Sequence, residues 1–235
     1  MPAQQPVIDV IIPAYNEEAS IGLVVGELPP GWVREVIVCD NNSSDATAAV
    51  GAAAGATVVH EGRPGYGSAC LRGLAEIARR PPADQPDIVV FLDGDHSDYP
   101  EELPQLVAPL LGPAGHDLVI GSRALGQSEA GSMTPPQVFG NWLATNLIRL
   151  LYGYEFTDLG PFRAIRYPAL RQLGMSDPDF GWTVEMQVRA AKAGLRCTEV
   201  PVRYRRRIGA SKISGTVRGT VLAGHKILWT IFKLI

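Results

Sequence analysis

Two carboxylates one residue apart, Asp93-Gly94-Asp95, follow the apolar run Ile88 to Leu92. At the end of a buried strand such a pair sets like charges close together, which is costly unless a cation is shared. Hard oxygen ligands suit Mg²⁺ or Mn²⁺, which take one or two carboxylates and complete their shells with water and substrate phosphates. An EF-hand loop also begins Asp-x-Asp, but it needs Gly at its sixth position and Glu at its twelfth, where this chain has Asp98 and Pro104. Asp98 reads instead as a cap for a helix beginning near Pro100. Asp40 follows Val36-Ile37-Val38-Cys39. Its carboxylate could accept an N–H from a nucleobase or close an Asx turn with the Asn-rich loop after it. Arg123, Arg163, Arg207 and Lys212 are cations suited to an anionic group, Arg where a planar fork must grip phosphate oxygens. In the run Arg203, Arg205, Arg206, Arg207, strand alternation sets Arg206 opposite the other three, and Arg207 is singled out because Gly209, Ser211 and Lys212 follow it. Gly65-Tyr66-Gly67-Ser68-Ala69-Cys70 imitates a dinucleotide fingerprint, but it follows a third strand and has Cys70 for the last Gly. What remains is a Gly-rich turn that lets backbone approach a ligand.

These residues need strand ends to hold them. Short apolar runs alternate with helical patterns through the first half, which predicts parallel βαβ units. Strands are expected over residues 7–13, 34–40, 57–60, 87–92 and 117–121, with helices over 20–28, 45–54, 67–79 and 101–111. Ser20 and Asp45 are candidate N-caps, and Pro100 suits a first helical turn. In open parallel sheets ligands sit at the carboxyl ends of strands, where Asp40, Asp93 and Asp95 fall. Residues 122–137 are rich in Gly, Pro and small polar side chains and read as a loop. Helices over 138–152 and 183–193 flank an irregular stretch over 155–180, and a strand over 197–204 follows. Residues 215–235 form an amphipathic helix with Arg218, His225, Lys226 and Lys233 as its titratable groups. It either lies in a membrane interface or packs on the domain or on a second copy of the chain as a homodimer.

Twenty-one Lys and Arg against 24 Asp and Glu give the 235 residues a net charge of −3. Up to Gly140 there are 6 basic and 18 acidic residues, a net of −12; beyond it 15 against 6 give +9. The split suggests an acidic half that holds a cation and a basic half suited to phosphates or an anionic surface. The small total excludes a nucleic-acid binder driven by net charge, and 46% hydrophobic residues exclude general disorder. Cys39, Cys70 and Cys197 lack metal or redox spacing and suit a reducing compartment. No signal peptide or membrane-spanning run is visible, so the expected location is cytoplasmic, peripheral at the inner face of the plasma membrane.

Together, Pro13-Ala14-Tyr15-Asn16-Glu17, Asp40 with Ser44-Asp45-Ala46-Thr47, and Asp93-Gly94-Asp95 resemble glycosyltransferase family 2. Gly121-Ser122-Arg123, Asp158 to Arg163, Glu199-Val200-Pro201-Val202 and Arg207 to Lys212 resemble its dolichyl-phosphate mannose and glucose synthase branch. The resemblance implies a GT-A fold: α/β, with a Rossmann-like, mostly parallel sheet flanked by helices, a C-terminal acceptor-side region and the terminal amphipathic helix. It divides the chain into a GT-A domain over 1–214, with a nucleotide-sugar half over 1–121 and an acceptor half over 122–214, and the helix over 215–235. It further implies inverting, metal-dependent hexose transfer from a UDP- or GDP-linked sugar to a polyprenyl phosphate. Pro13, Ala14, Tyr15, Glu17, Asp40, Gly67, Asp93 and Gly94 would bind the nucleotide sugar, Asp93 and Asp95 the metal, and Arg123, Arg163, Arg207, Ser211 and Lys212 the acceptor phosphate. The branch often carries a Gln ligand where this chain has Ser97, and Ser-Gly-Phe-Arg where it has Gly160-Pro161-Phe162-Arg163. Asp95, Arg123, Asp158 and Glu185 are the candidate catalytic residues. Glu185 is either a base for a hydroxyl acceptor or an orienter of the phosphate-site arginines, with Asp158 open to the same two roles. Trp182 either stacks on a sugar or fills the core. A transferase with a soluble or lipid hydroxyl acceptor, and a non-catalytic nucleotide-sugar-binding module, are the alternatives.

Overall fold

A computed structural model describes residues 5–209 and 217–235. The strands are β1 (Ile8–Ala14), β2 (Glu35–Asp40), β3 (Thr57–His60), β4 (Ile88–Phe91), β5 (Leu118–Ser122), β6 (Arg163–Arg166) and β7 (Cys197–Pro201). The helices are α1 (Ile21–Gly26), α2 (Thr47–Ala53), α3 (Tyr66–Ala78), α4 (Leu103–Leu111), α5 (Pro135–Tyr152), α6 (Tyr167–Leu173), α7 (Trp182–Lys192) and α8 (Val217–Lys233). All seven strands join one sheet in the order β3-β2-β1-β4-β6-β5-β7. Every pairing is parallel except those of β6, which runs antiparallel to both β4 and β5.

Each strand alternates its side chains between two apolar layers. Ile11, Val89, Phe91 and Ile120 enter one core with Trp182 and Ile231, beneath α3, α5, α7 and α8. Val10, Ile12, Val90 and Leu92 enter the other with Val24, Leu106 and Leu110 from α1 and α4. Because β1, β2 and β4 are buried on both faces, they read as continuous apolar runs, as the interior of a parallel sheet requires.

The stretch over 155–180 departs from expectation by containing β6 and α6. Two arginines break the apolar pattern of β6. Arg163 is wholly buried on backbone carbonyls, and Arg166 donates through Nε to His116 O at 3.0 Å. Strand β7 stops at Pro201, and beyond it Tyr204 makes two isolated bridges, to Asp98 and to Ser128. The N-cap of α2 is Ala46 rather than Asp45, which stands one residue earlier and accepts the Thr47 N–H on Oδ1 at 3.0 Å. Ser20 precedes α1 but donates its hydroxyl back to Glu17 instead. Pro100 opens a short 3-10 turn, Pro100–Glu102, ahead of α4. Helix α8 packs on α5 and α7 by one face, where Ile231 is buried and accepts the Tyr152 hydroxyl. Val221, Leu222, Trp229 and Phe232 remain exposed on the other. Among the described residues no helix is long and apolar enough to cross a membrane.

Candidate active site

The carboxyl ends of β1, β2 and β4 bring Pro13, Ala14, Asp40, Asp93 and Asp95 to one edge of the sheet. The loops after β1 and β2 are stitched together. The Asn16 N–H donates to Ser43 Oγ at 2.9 Å, the Glu17 N–H to Thr47 Oγ1 at 2.7 Å, and the Ser44 N–H to Asn16 Oδ1 at 2.8 Å. Tyr15 is exposed over this seam. Asp40 makes the turn, accepting the Ser43 N–H on Oδ1 at 3.2 Å, while Oδ2 lies 3.4 Å from His60 Nδ1.

Asp93 accepts the Tyr66 hydroxyl at 2.9 Å. Burial, and then the neighbouring Asp95, push its carboxyl up to about 6. On Asp95, Oδ1 accepts the Ser97 N–H at 2.9 Å and the Ser97 hydroxyl at 2.5 Å, and Oδ2 pairs with Arg207 Nη1 at 2.8 Å. Among the described residues no three His, Cys, Asp or Glu side chains converge into a protein-only metal cage. Two adjacent carboxylates that already attract a guanidinium nevertheless fit Mg²⁺ or Mn²⁺, because such ions draw their remaining ligands from water and phosphate. Asp93 and Asp95 are the residues that would hold one.

After β5, Asp158 grips Arg123. Asp158 Oδ2 accepts the Arg123 N–H and Nε–H, both at 2.8 Å, and Oδ1 accepts Nη2 at 2.7 Å. Burial opposes the Arg123 charge, but Asp158 outweighs it and holds the guanidinium pKa above its ordinary value. The guanidinium stands 5.0 Å from the ring centre of Tyr204, a cation–π contact. Beside this pair lies a cavity of about 290 Å³ lined by Ala124, Met133, Val138, Glu129 and Asp158.

Four expected roles are corrected. Arg163 is 0% exposed and donates to Gly160 O, Leu159 O and Thr183 O, so it ties the 159–162 turn to α7 and cannot grip an acceptor. Burial lowers its pKa to about 10. The approach expected at Gly67 is made by the protein itself: a Cβ there would collide with the Asp177 carbonyl, just as one at Gly65 would strike Pro178 O. Both Glu185 oxygens are engaged by Ser176, the Asp177 N–H and Arg189, 2.7–3.1 Å away, so it orients Arg189 rather than the phosphate-site arginines and presents no base. Asp98 caps nothing. It is 1% exposed, and neither carboxylate oxygen has a hydrogen-bond partner among the described residues. Burial, then Asp93 and Asp95, raise its pKa well above the carboxylate range. Trp182 fills the core edge-on to Phe91, with ring centres 5.8 Å apart. Ser211 and Lys212 lie outside the described residues.

Tyr66, Ser97 and Tyr204 take part in the site although sequence reasoning gave them no such role. Tyr66 stands inside the Gly-rich turn that was read only for its glycines. In the arginine run, alternation holds. Arg203 and Arg205 share the Tyr99 ring at 4.0 and 4.3 Å, while Arg206 turns away to Ala130 O.

Comparison with known proteins places these features in a group. Residues 9–174 match the model of Glycosyl transferase family 2. An uncharacterized glycosyltransferase of Mycobacterium tuberculosis is 39% identical over 218 residues, 92% of this chain and 94% of that one. The undecaprenyl-phosphate mannosyltransferase of Micrococcus luteus is 32% identical over 221 residues, 89% of this chain and 88% of that one. Among solved structures, glucosyl-3-phosphoglycerate synthase from M. tuberculosis, in complex with Mn²⁺, UDP-glucose and phosphoglyceric acid, superposes with a TM-score of 0.74 at 27% identity. That match covers 97% of this chain and 79% of the other.

Proposed function

The chain belongs to glycosyl transferase family 2, has the GT-A fold and is a glycosyltransferase, and from that premise we propose that it transfers a hexose from a nucleotide-diphosphate sugar to a polyprenyl phosphate, with inversion. The nucleotide lies over Pro13, Ala14, Tyr15, Glu17 and Asp40, with its diphosphate at Asp93 and Asp95. Asp93 and Asp95 would hold a divalent cation there, which would offset the charge that grows on the leaving diphosphate.

The observation that carries the acceptor assignment is the cavity at Asp158. Ala124, Met133 and Val138 make its wall largely apolar, and Val138 continues into the exposed Phe139 and Trp142 of α5. An anionic head met by Arg123 and an apolar tail running out along α5 match a lipid phosphate. Helix α8, which packs beside α5, has an exposed apolar stripe of its own that suits peripheral membrane contact. A phosphate monoester, with its second pKa near 6, is largely a dianion at neutral pH and attacks without a base. That agrees with Glu185 being engaged elsewhere. The similarity to glucosyl-3-phosphoglycerate synthase favours a second reading, a soluble phosphorylated acceptor.

The test supplies UDP- and GDP-hexoses with Mn²⁺ and offers undecaprenyl phosphate, undecaprenol and 3-phosphoglycerate as acceptors. Turnover is expected with the lipid phosphate and is lost in Asp95→Ala. Turnover of undecaprenol alone, or of 3-phosphoglycerate alone, refutes the lipid-phosphate assignment.

A further inference from the structure

The guanidinium of Arg207 sits on the same carboxylate that the site offers to a cation. Arg207 Nη1 is 2.8 Å from Asp95 Oδ2, and the other oxygen of Asp95 is committed to Ser97. The backbone on either side of Arg207 is fastened to the same loop. The Arg205 N–H donates to Ser97 O at 2.9 Å and the Ile208 N–H to Asp95 O at 3.0 Å. Arg205 adds bonds from Nε to His96 O at 2.7 Å and from Nη2 to Glu27 Oε2 at 2.6 Å, and Glu27 Oε1 in turn lies 2.8 Å from His96 Nε2. The segment is thus anchored at two backbone points that do not depend on the Arg207 side chain.

Asp95 and Asp98 are both buried in this loop, and among the described residues the Arg207 guanidinium is the cation paired with Asp95. We propose that Arg207 is the stand-in for the metal: it neutralises Asp95 while the metal is absent, is displaced from Oδ2 when a divalent cation arrives, and then takes the acceptor's phosphate. Because the flanking backbone is fixed, the exchange needs only rotation of the Arg207 side chain, and the freed fork stays at the mouth of the site. Binding therefore has an order. Cation and donor come first, and the acceptor anion is gripped by a guanidinium that the cation has released. This rests on the assignment of Asp93 and Asp95 to a cation above.

The test is titration of the wild-type chain and of Arg207→Gln and Arg207→Lys with Mn²⁺ alone, followed by calorimetry. Removing a half-buried ion-pair partner that competes for the oxygen should tighten Mn²⁺ binding by about five- to tenfold in Arg207→Gln, and by less in Arg207→Lys. Unchanged or weaker Mn²⁺ binding in a folded Arg207→Gln overturns the exchange. Failure of Mn²⁺ to bind the wild type overturns the cation assignment itself. A second measurement does not depend on that variant's stability. In the wild type, inorganic phosphate and Mn²⁺ should strengthen each other's binding by the same factor, as linkage requires. Arg207→Lys should shrink this coupling. Coupling that is full in Arg207→Lys puts phosphate on the metal and overturns transfer of the guanidinium to the acceptor.

Discussion

Two buried aspartates act on the charge of one guanidinium, and the structure assigns them opposite effects on stability. Asp158 is 1% exposed and accepts three hydrogen bonds from Arg123; Asp98 is equally buried and accepts none among the described residues. Replacing Asp158 with Asn turns an amide N–H₂ or a weaker acceptor toward Arg123 and leaves a buried cation without its counterion. Breaking a buried pair from one side costs about 3–5 kcal/mol. For a chain of this size each kcal/mol moves the melting temperature by roughly 2–4 °C, so Asp158→Asn should melt roughly 6–20 °C lower.

Asp98→Asn removes an acid whose ionised form no donor among the described residues satisfies. The amide is no better bonded, so the gain is limited to the charge, about 1–2 kcal/mol, or roughly 2–8 °C upward. The sign depends on pH. A carboxyl whose folded pKa is raised keeps its proton in the folded state after the unfolded chain has lost it, so stability falls as pH rises from about 4 through the elevated value. The gain from Asp98→Asn should accordingly be smaller at pH 4 than at pH 8. Melting curves at both pH values in a chelating buffer measure this. A lower melting temperature for Asp98→Asn at pH 8, or the same shift at both, would refute the assignment of Asp98 as an uncompensated buried acid.

Gly67→Ala drives a methyl group into the Asp177 backbone and should cost about 1–3 kcal/mol, read as a lower urea midpoint. Glu185→Gln weakens the Arg189 and Ser176–Asp177 contacts, so it should lower thermal stability while leaving the ranking of hydroxyl and phosphate acceptors unchanged; a selective loss of hydroxyl acceptors would restore it as a base. Because Asp93 is pushed up to about 6, protons compete with the cation below that pH, and Mn²⁺ affinity should fall about tenfold per pH unit there. A pH-independent affinity between pH 4.5 and 6.5 (roughly the span about Asp93's pKa) would remove Asp93 from the site.

The strands that carry Asp40, Asp93 and Asp95 were legible because a parallel sheet buried on both faces writes itself as unbroken apolar runs, and the residues after those runs fall at the ligand edge. Strand β6 was not legible, since Arg163 and Arg166 satisfy their charge on backbone carbonyls, some from the adjoining turn and others, Thr183 O and His116 O, from distant segments that no local pattern can show. The same limit explains the misplaced roles. Arg163 and Glu185 are the right chemical types for a phosphate or hydroxyl site, and only the three-dimensional count of their partners shows that both are fully employed in holding loops. Asp98 is the converse case: its spacing suggested a cap, and only the absence of a donor around it identifies a buried acid.

The charge split also acquires a different meaning. Fifteen basic residues beyond Gly140 suggested a surface set apart from the acidic half. Several of those charges instead fold back onto the acidic half. Arg196 meets Asp117, Arg203 meets Glu101 and Glu102, Arg205 meets Glu27, and Arg207 meets Asp95. Three of these four arginines lie in the five residues after Val202 and close over the loop that begins with Asp93 and Asp95. Most such pairs are partly exposed and contribute little stability one by one. Their value is positional, since they fasten the 203–208 segment across the loop that follows β4. Among the four, Arg207 alone engages a carboxylate that the proposed cation would share, so on that proposal the arrival of a cation has a direct electrostatic route to the 203–208 segment.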